Sequence, residues 1–538
     1  MKTIYYHGAV YTGALPLAEA FVVEDDRFVF IGSSKEALSL AAPGDKMTDL
    51  GGAFVCAGFN DSHMHLLSYG QSLQNAPLDR HTNSMDALIA CLRTHLQKHG
   101  TGFGGWLMGR GWNQDYFTDR QKMPDRWDLD QVSTAVPVCA VRACGHALAV
   151  NSKALELLNI TAETPQPDGG EIGMENGIPN GLFFDNAMDL VYRSIPAPSK
   201  EDLKDMIHSA CKALNAYGVT SCHSDDYCVF ASVPWQTVNE AYRELEASGE
   251  LTVRVYEQCN FTSLPELRDF VDAGNRTGGG SDFFRIGPLK MLGDGALGPR
   301  TAFLQEPYAD APDTCGLSVF TQDTFDDMIG YANRMGMQVA IHAIGDACLD
   351  RVLSALEKAL DAQPRCDHRH GIVHCQITRP DQLEKLAGMG LHIYAQSIFL
   401  DYDIHIVHRR VGENRAASSY SWKTLLDRGC TVSNGTDCPV ERPFALGGIQ
   451  CAVTRSDLSG HMPPYLPQEA FSVQQALDSY TSAGAYASFE ETKKGKILPG
   501  MLADFVVLGG SPFDVSPGEI RNIPVLAVYV GGKQTFCA

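Results

Sequence analysis

Eight short apolar runs recur along the middle of this chain, separated by stretches of helical spacing. That alternation restricts the fold more than any other feature. The runs cover residues 53–65, 217–223, 251–256, 284–290, 338–342, 370–374, 391–396 and 430–437. Strand-like runs alternating with helical patterns mark parallel βα units. Between such runs, residues 349–361 and 379–389 carry Leu, Ala and Met at helical intervals. Eight units are the number that closes a (β/α)8 barrel, so the expected class is α/β with a TIM barrel.

The ends of the chain have a different texture. Residues 3–6, 20–23 and 28–31 are short β-rich runs separated by turn residues, and 503–508 and 525–532 repeat that pattern. Neither terminal piece can bury a core alone. They are expected to pair, residues 1–56 with 495–538, into a small discontinuous β-sandwich domain, leaving 57–494 as the barrel. From about residue 75 to 200 the chain is too long for one crossover and is rich in Trp, Gly, Asn and Asp. It reads as an insertion after the first strand that roofs the active-site face and sets substrate choice.

Charge narrows the partners. Lys and Arg number 43 against 64 Asp and Glu, a formal net charge of −21 over 538 residues. So acidic a surface repels phosphate backbones and anionic headgroups, so neither nucleic acid nor a membrane surface is expected as a partner. The first residues, Met1 to Gly8, show no apolar core or cleavage site of a secretory signal. No stretch reaches the ~18 uninterrupted apolar residues of a membrane span. The 16 Cys are scattered without Cys-x-x-Cys pairs, which fits reduced thiols in a cytoplasmic protein. A homo-oligomer is compatible with the sequence, which does not specify one.

Chemistry-bearing side chains gather at the C-terminal ends of the runs. His63 and His65 end the first, Lys290 the fourth, His342 the fifth, His374 the sixth and Asp437 the eighth. Alternate residues on an extended backbone project to one side, so His63 and His65 point together. Two neutral imidazoles can then share a transition metal. Each residue also has a plainer reading: histidines hydrogen-bonded in a core, a buried Lys290 ammonium paired with Asp294 or Asp437, and a turn aspartate at Asp437. The metal reading gains its weight from the set, because strand ends at one rim of a barrel converge in space.

The order His-x-His, Lys, His, His, Asp resembles the amidohydrolase superfamily, in its binuclear subtype with a carboxylated lysine. The similarity is closer to the group of YtcJ-like proteins, N-substituted formamide deformylases and AepA-type regulators. It rests on Gly145-His146 with Val150-Asn151-Ser152-Lys153, on Lys290-Met291-Leu292-Gly293-Asp294-Gly295, and on the segment through Gly298-Pro299-Arg300. Ile341-His342-Ala343, His374-Cys375-Gln376, Gly435-Thr436-Asp437-Cys438-Pro439 and the tail from Gly495 to Asp504 extend it nearly end to end. Ala57 stands where the family usually has Pro, and Val373 where Glu commonly precedes the sixth-strand His; neither removes a ligand.

The resemblance implies two divalent metal ions, with zinc the first expectation and iron or manganese as alternatives. His63, His65 and Asp437 would hold one and His342 and His374 the other, with a carbamate on Lys290 linking them. Two dications repel, and an anionic bridge answers that repulsion. A hydroxide shared by the metals would attack a carbonyl, and Asp437 would carry its proton to the leaving amine. The expected activity is hydrolysis of an amide, N-acyl or N-formyl C–N bond in a small-molecule amide-like substrate. Asp437 and Lys290 are the catalytic candidates. Trp112, His146, Asn151, Asp294 and Arg300 are candidate substrate-binding residues, with Trp112 on a loop tip facing substrate. The plainer alternatives are core packing for Trp112 and helix capping for Asn151. A one-metal deaminase on the same fold is the rival activity. A catalytically silent regulator ranks last, because all six ligands are present.

Overall fold

All eight runs form strands of one parallel sheet, in chain order around it. The strands are β1 (Phe59–Met64), β2 (Val219–Ser224), β3 (Arg254–Asn260), β4 (Phe284–Leu292), β5 (Val339–Ala343), β6 (Gly371–His374), β7 (His392–Ala395) and β8 (Val432–Asn434). The computed structural model describes residues 2–81, 83–143, 146–167 and 169–538. Gly145, part of the motif before His146, lies outside the described residues. Nearly every residue of the eight strands is buried. Helices cover one face and side chains fill the other, which is why these strands read as continuous apolar runs rather than alternating ones.

Ladder pairing runs from β1 through β2 and onward to β8. Side chains close the remaining seam. Asp61 of β1 accepts from the Thr436 backbone N–H at 2.9 Å and from the Thr436 hydroxyl. The Asp437 N–H donates to the His63 carbonyl at 2.8 Å. Gly435 allows this approach, since a Cβ there would lie 2.5 Å from the His63 nitrogen. The α/β barrel expected from the strand count is therefore present, with its seam at the very residues that carry His63 and Asp437.

One run divides. Residues 53–65 read as a single strand, but Phe54–Ala57 pairs with Phe505–Leu508 in a different sheet, and β1 starts at Phe59. Gly58 marks the switch. Its N–H donates to the Asp504 carbonyl, whereas the next N–H, on Phe59, donates to Gly218 of the barrel. A Cβ on Gly58 would sit 2.2 Å from the Thr220 side chain, so only glycine fits.

The terminal segments build two small sheets. One has the order Arg27–Gly32, Ala20–Glu24, Lys2–Tyr6, Lys46–Asp49; the other runs Ala9–Val10, Phe54–Ala57, Phe505–Leu508, Val525–Val530, Lys533–Cys537. Between them lies an aromatic core in which Tyr5 stacks on Phe21 at 4.6 Å and Phe505 on Tyr529 at 4.4 Å. Arg254 of β3 ties the barrel to this sandwich through a buried two-pronged pair with Asp504, at 2.6 and 3.0 Å.

These parts make one compact unit, and residues Leu67–Ser209 with Phe230–Ala241 make a second. The second unit holds a six-stranded mixed sheet with its own core around Leu92, Trp112 and Leu129. Among the described residues, no helix is long and apolar enough to cross a membrane.

Candidate metal centre

β1 delivers His63 fully buried, and His65 follows where the strand ends. Their rings sit 5.3 Å apart, and His63 Nε2 and His65 Nε2 lie 3.4 and 3.0 Å from the same atom, Asp437 Oδ1. On β5 and β6, His342 and His374 face each other with ring centres 4.4 Å apart, and His374 lies 5.6 Å from His63. His63, His374 and Asp437 each present a ligand atom, all within 4.8 Å of one another.

Each imidazole has one nitrogen engaged away from this centre. His65 Nδ1 lies 3.1 Å from the Asp225 carbonyl and His342 Nε2 lies 3.0 Å from the Gly295 carbonyl. A carbonyl only accepts, so those nitrogens carry a proton, and His65 Nε2 in turn donates to Asp437 Oδ1 at 3.0 Å. His63 Nδ1 is 2.7 Å from Gln258 Oε1, and His374 Nδ1 is 2.8 Å from Gln396 Oε1. Gln258 is oriented in turn by donating to the Ser62 carbonyl at 3.3 Å. Four rings, each anchored through one nitrogen, are what a metal site requires of histidine.

The electrostatics agree. Burial, followed by the charge of Lys290, holds His63 well below the usual histidine range. Burial and the neighbouring His342 do the same to His374, so both rings are neutral near pH 7. For Asp437, burial favours the neutral acid, but the His65 hydrogen bond outweighs it and keeps the carboxyl ionised. Burial lowers His65, but that same contact with Asp437 outweighs it and pushes the ring up to about 9.

Backbone strain is concentrated here as well. His374, Cys375 and Asp437 have φ of 74°, 51° and 56°, in the left-handed region that costs about 1–3 kcal/mol per residue for side chains other than glycine. The Trp422 indole N–H donates to the His374 carbonyl at 2.9 Å and holds the first of these turns in place.

Lys290 is fully buried on β4. The anticipated ion pairs with Asp294 or Asp437 are not the ones that form: Nζ lies 3.5 Å from Asp225 Oδ2, and among the described residues it has no hydrogen-bond partner. An ammonium so sealed and so poorly paired is costly. The donor set fits a bound cation, and Lys290 Nζ beside it is a buried nitrogen still short of partners.

The substrate-binding candidates fare differently. Trp112 is not on a substrate-facing tip; it lies buried in the core of the second unit, with its indole N–H on the Ala140 carbonyl at 2.9 Å. Asn151 is likewise committed to structure. Its Oδ1 accepts from the Val138 and Ala154 N–H groups, and its Nδ2 donates to the Ser133 and Val136 carbonyls, so no polar capacity is left for a ligand. His146 is exposed, 3.1 Å from Asp185.

Arg300 forms a two-pronged pair with Asp310 at 2.9 Å rather than waiting for substrate. Asp294 accepts from the Phe303, Ile344 and Gly345 N–H groups and lies 3.2 Å from His342 Nε2. It braces the loop after β5 and lies against the His342 ring. Gln258, Gln396 and Asp225 went unnoticed in the sequence. Gln396 ends the seventh run, and Gln258 lies two residues past the point where the third run was ended.

The model of the amidohydrolase family matches residues 46–536. The YtcJ protein of Bacillus subtilis (strain 168) is 34% identical over 545 aligned positions, covering 100% of this chain and 99% of that protein. The N-substituted formamide deformylase of Arthrobacter pascens is 27% identical, with 96% of this chain and 95% of the relative covered. A crystal structure of an uncharacterized metal-dependent hydrolase from Pyrococcus furiosus has a TM-score of 0.79 at 31% identity, covering 96% of this chain and 100% of that one. The family match spans all eight barrel strands and the positions of the six converging side chains, and the chain belongs to the amidohydrolase family.

Proposed function

We propose that this amidohydrolase-family, metal-dependent hydrolase cleaves the carbon–nitrogen bond of a small amide-like substrate of the N-acyl or N-formyl class. The observation that carries the reading is Lys290, buried without a hydrogen-bond partner among the described residues, at a rim where four anchored imidazoles and Asp437 converge. His63, His65 and Asp437 would hold one cation, and His342 and His374 a second. Lys290, deprotonated and joined to CO₂ with loss of a proton, would offer two carbamate oxygens between them. Zinc suits these ligands, as do iron and manganese. The chemistry such cations supply when bound is a water made acidic near neutral pH and a polarised carbonyl.

The rest falls to the chain. Asp437, held ionised by the His65 hydrogen bond, takes a proton from the attacking water at Oδ1 and returns it to the leaving amine. Gln258, Gln396 and the Asp225 and Gly295 carbonyls keep the imidazoles from turning. Support for the bond type comes from the formamide deformylase relative, whose name places its chemistry at such a bond.

A one-metal deaminase is the second reading, favoured by the tight grouping of His63, His374 and Asp437. Metal content by plasma mass spectrometry, with turnover of formamides, N-acyl amino acids, dipeptides and cyclic amides, tests both. The hydrolase reading expects turnover that chelation abolishes and metal restores. It is overturned by a His63→Ala variant that keeps full metal content and full turnover. One tightly held ion with an unmodified Lys290 favours the deaminase.

A further inference from the structure

Beside the six converging side chains lies a cavity of about 190 Å³ that the proposed chemistry leaves unused. Its walls come from the loops that follow the metal-site residues. Ile344 follows His342, Gln376 follows His374, and Val440 and Glu441 follow Asp437. Phe399 joins the wall with its ring stacked on His374 at 5.7 Å, and Leu297 and Pro299 complete an apolar lining. The volume exceeds the roughly 150 Å³ of an engineered cavity that takes up benzene, so an aromatic ring or a short branched chain fits.

Gln376, Asp403 and Glu441 bring acceptors to this lining, beside the exposed Tyr402. Gln376 is 1% exposed, and its Nε2 donates to Asp403 Oδ2 at 3.0 Å. Because a carboxylate only accepts, that contact settles which end of the amide is which. The other end, Oε1, is buried with no hydrogen-bond partner among the described residues. Asp403 is 8% exposed, and its Oδ2 also receives the Tyr420 hydroxyl at 2.8 Å. Glu441 stands on the same wall. Burial, then the charges of Asp401 and Asp403, push its carboxyl up to about 7.

The nearby cations are committed elsewhere or lie outside. Arg410 is paired with Asp310 and donates to the Gly298 carbonyl, and Arg442 is exposed. A largely apolar lining that holds an orphaned buried acceptor and two carboxylates calls for a donor that carries positive charge.

We propose that this cavity binds an apolar group bearing a cationic amine, amidine or guanidine, with the cation held by Asp403, Gln376 Oε1 and Glu441. As a statement about substrate it rests on the hydrolase reading above. It selects, among amide-like compounds, those whose acyl or amine part carries a basic nitrogen beyond an apolar spacer. As a statement about binding it stands on the cavity alone.

The test uses phenylguanidine and its neutral isostere phenylurea, titrated calorimetrically into the metal-loaded protein. Phenylguanidine is expected to bind roughly tenfold or more tighter than phenylurea. That preference should collapse in Asp403→Asn and shrink in Glu441→Gln, a change at a partly exposed position that leaves the fold alone. Equal affinities in the unaltered protein, or a preference that survives both substitutions, overturns the proposal. The two readings separate cleanly. Turnover of amides with no guanidinium preference removes the cation site and leaves the hydrolase. Guanidinium selectivity without metal-dependent turnover keeps the site and removes the hydrolase.

Discussion

Lys290 Nζ lies 3.5 Å from Asp225 Oδ2, with both side chains sealed from solvent and the nitrogen short of hydrogen-bond partners among the described residues. A buried ammonium would ordinarily sit closer to its carboxylate and collect further acceptors. The spacing suits a nitrogen that gives up its charge and gains a carboxyl group. Intact-mass measurement of the metal-loaded protein in bicarbonate is expected to show the added mass of one CO₂, absent from Lys290→Met. That variant should also lose at least one metal equivalent and roughly a hundredfold or more in turnover. Full metal content in Lys290→Met would remove the carbamate from the account.

Gln258 and Gln396 touch no substrate on this reading, yet each fixes the tautomer of a metal-site histidine. Replacing either with Leu keeps the volume and deletes the acceptor. Partners of this kind typically contribute about 10–100-fold in metal affinity. Chelator competition on Gln258→Leu and Gln396→Leu should show a loss in that range with the fold intact. Unchanged affinity in both would mean that the rings are oriented by packing alone.

Asp437→Asn separates metal holding from proton handling. The amide keeps an oxygen for the histidine side of the site but cannot accept a proton. Turnover is expected to fall by roughly 10²–10⁴-fold, the usual range for a general acid–base group, with a smaller change in KM. Single-turnover rates on the metal-saturated variant supply the readout, and a rate equal to the unaltered protein would dismiss Asp437 as the proton carrier.

The barrel was legible because strands buried on both faces leave long apolar runs, and the six converging side chains because each ends such a run. The positions that misled were those where one residue type serves two purposes. Trp112 sits in a Gly- and Asn-rich stretch that reads as a loop tip, but the stretch is a strand, Leu107–Trp112, whose bulge and neighbours turn the indole into the core. Asn151 matches both a pocket residue and a helix cap, and only its four hydrogen bonds decide between them. Gln258 and Asp225 were invisible because a tautomer-fixing partner has no sequence spacing of its own; it is defined by which ring the barrel brings beside it. The break at Gly58 was hidden for a related reason. Two strands of different sheets run on without a polar residue between them, and only the partners of the Gly58 and Phe59 N–H groups tell them apart.

Trp112 and Asn151 now predict stability effects rather than binding effects. Trp112→Ala should cost about 3–5 kcal/mol of the second unit's stability, as large aromatic truncations in cores do. Asn151→Ala removes a helix cap, worth about 1 kcal/mol, and also strands the Val138 N–H and two carbonyls, so its cost should exceed that of a cap alone. In each case denaturant midpoints should fall while KM for a turned-over amide stays within about twofold of the unaltered protein. A large KM change in the conservative Trp112→Phe would return that residue to the substrate side.

Asp403 gives stability a pH dependence whose sign is fixed by burial. Burial raises its carboxyl to about 6 from the ordinary 3.8, against the opposing hydrogen bonds of Tyr420 and Gln376. The folded chain therefore keeps this proton over a range where the unfolded chain has released it. The resulting stabilisation is complete below about pH 4 and is lost as the pH rises through about 6. A shift of about two pH units corresponds to roughly 3 kcal/mol at most. Asparagine does not titrate, so the stability of the unaltered protein relative to Asp403→Asn should fall by about 2–3 kcal/mol between pH 4 and pH 7. Denaturant unfolding of both proteins at a series of pH values measures that difference. Saturating phenylguanidine should then restore part of the loss at pH 7 in the unaltered protein and none in the variant, because a cation beside Asp403 stabilises the ionised form that burial penalises. A stability difference that stays flat across the series would show that the carboxyl is solvated, and the pocket would lose its buried anion.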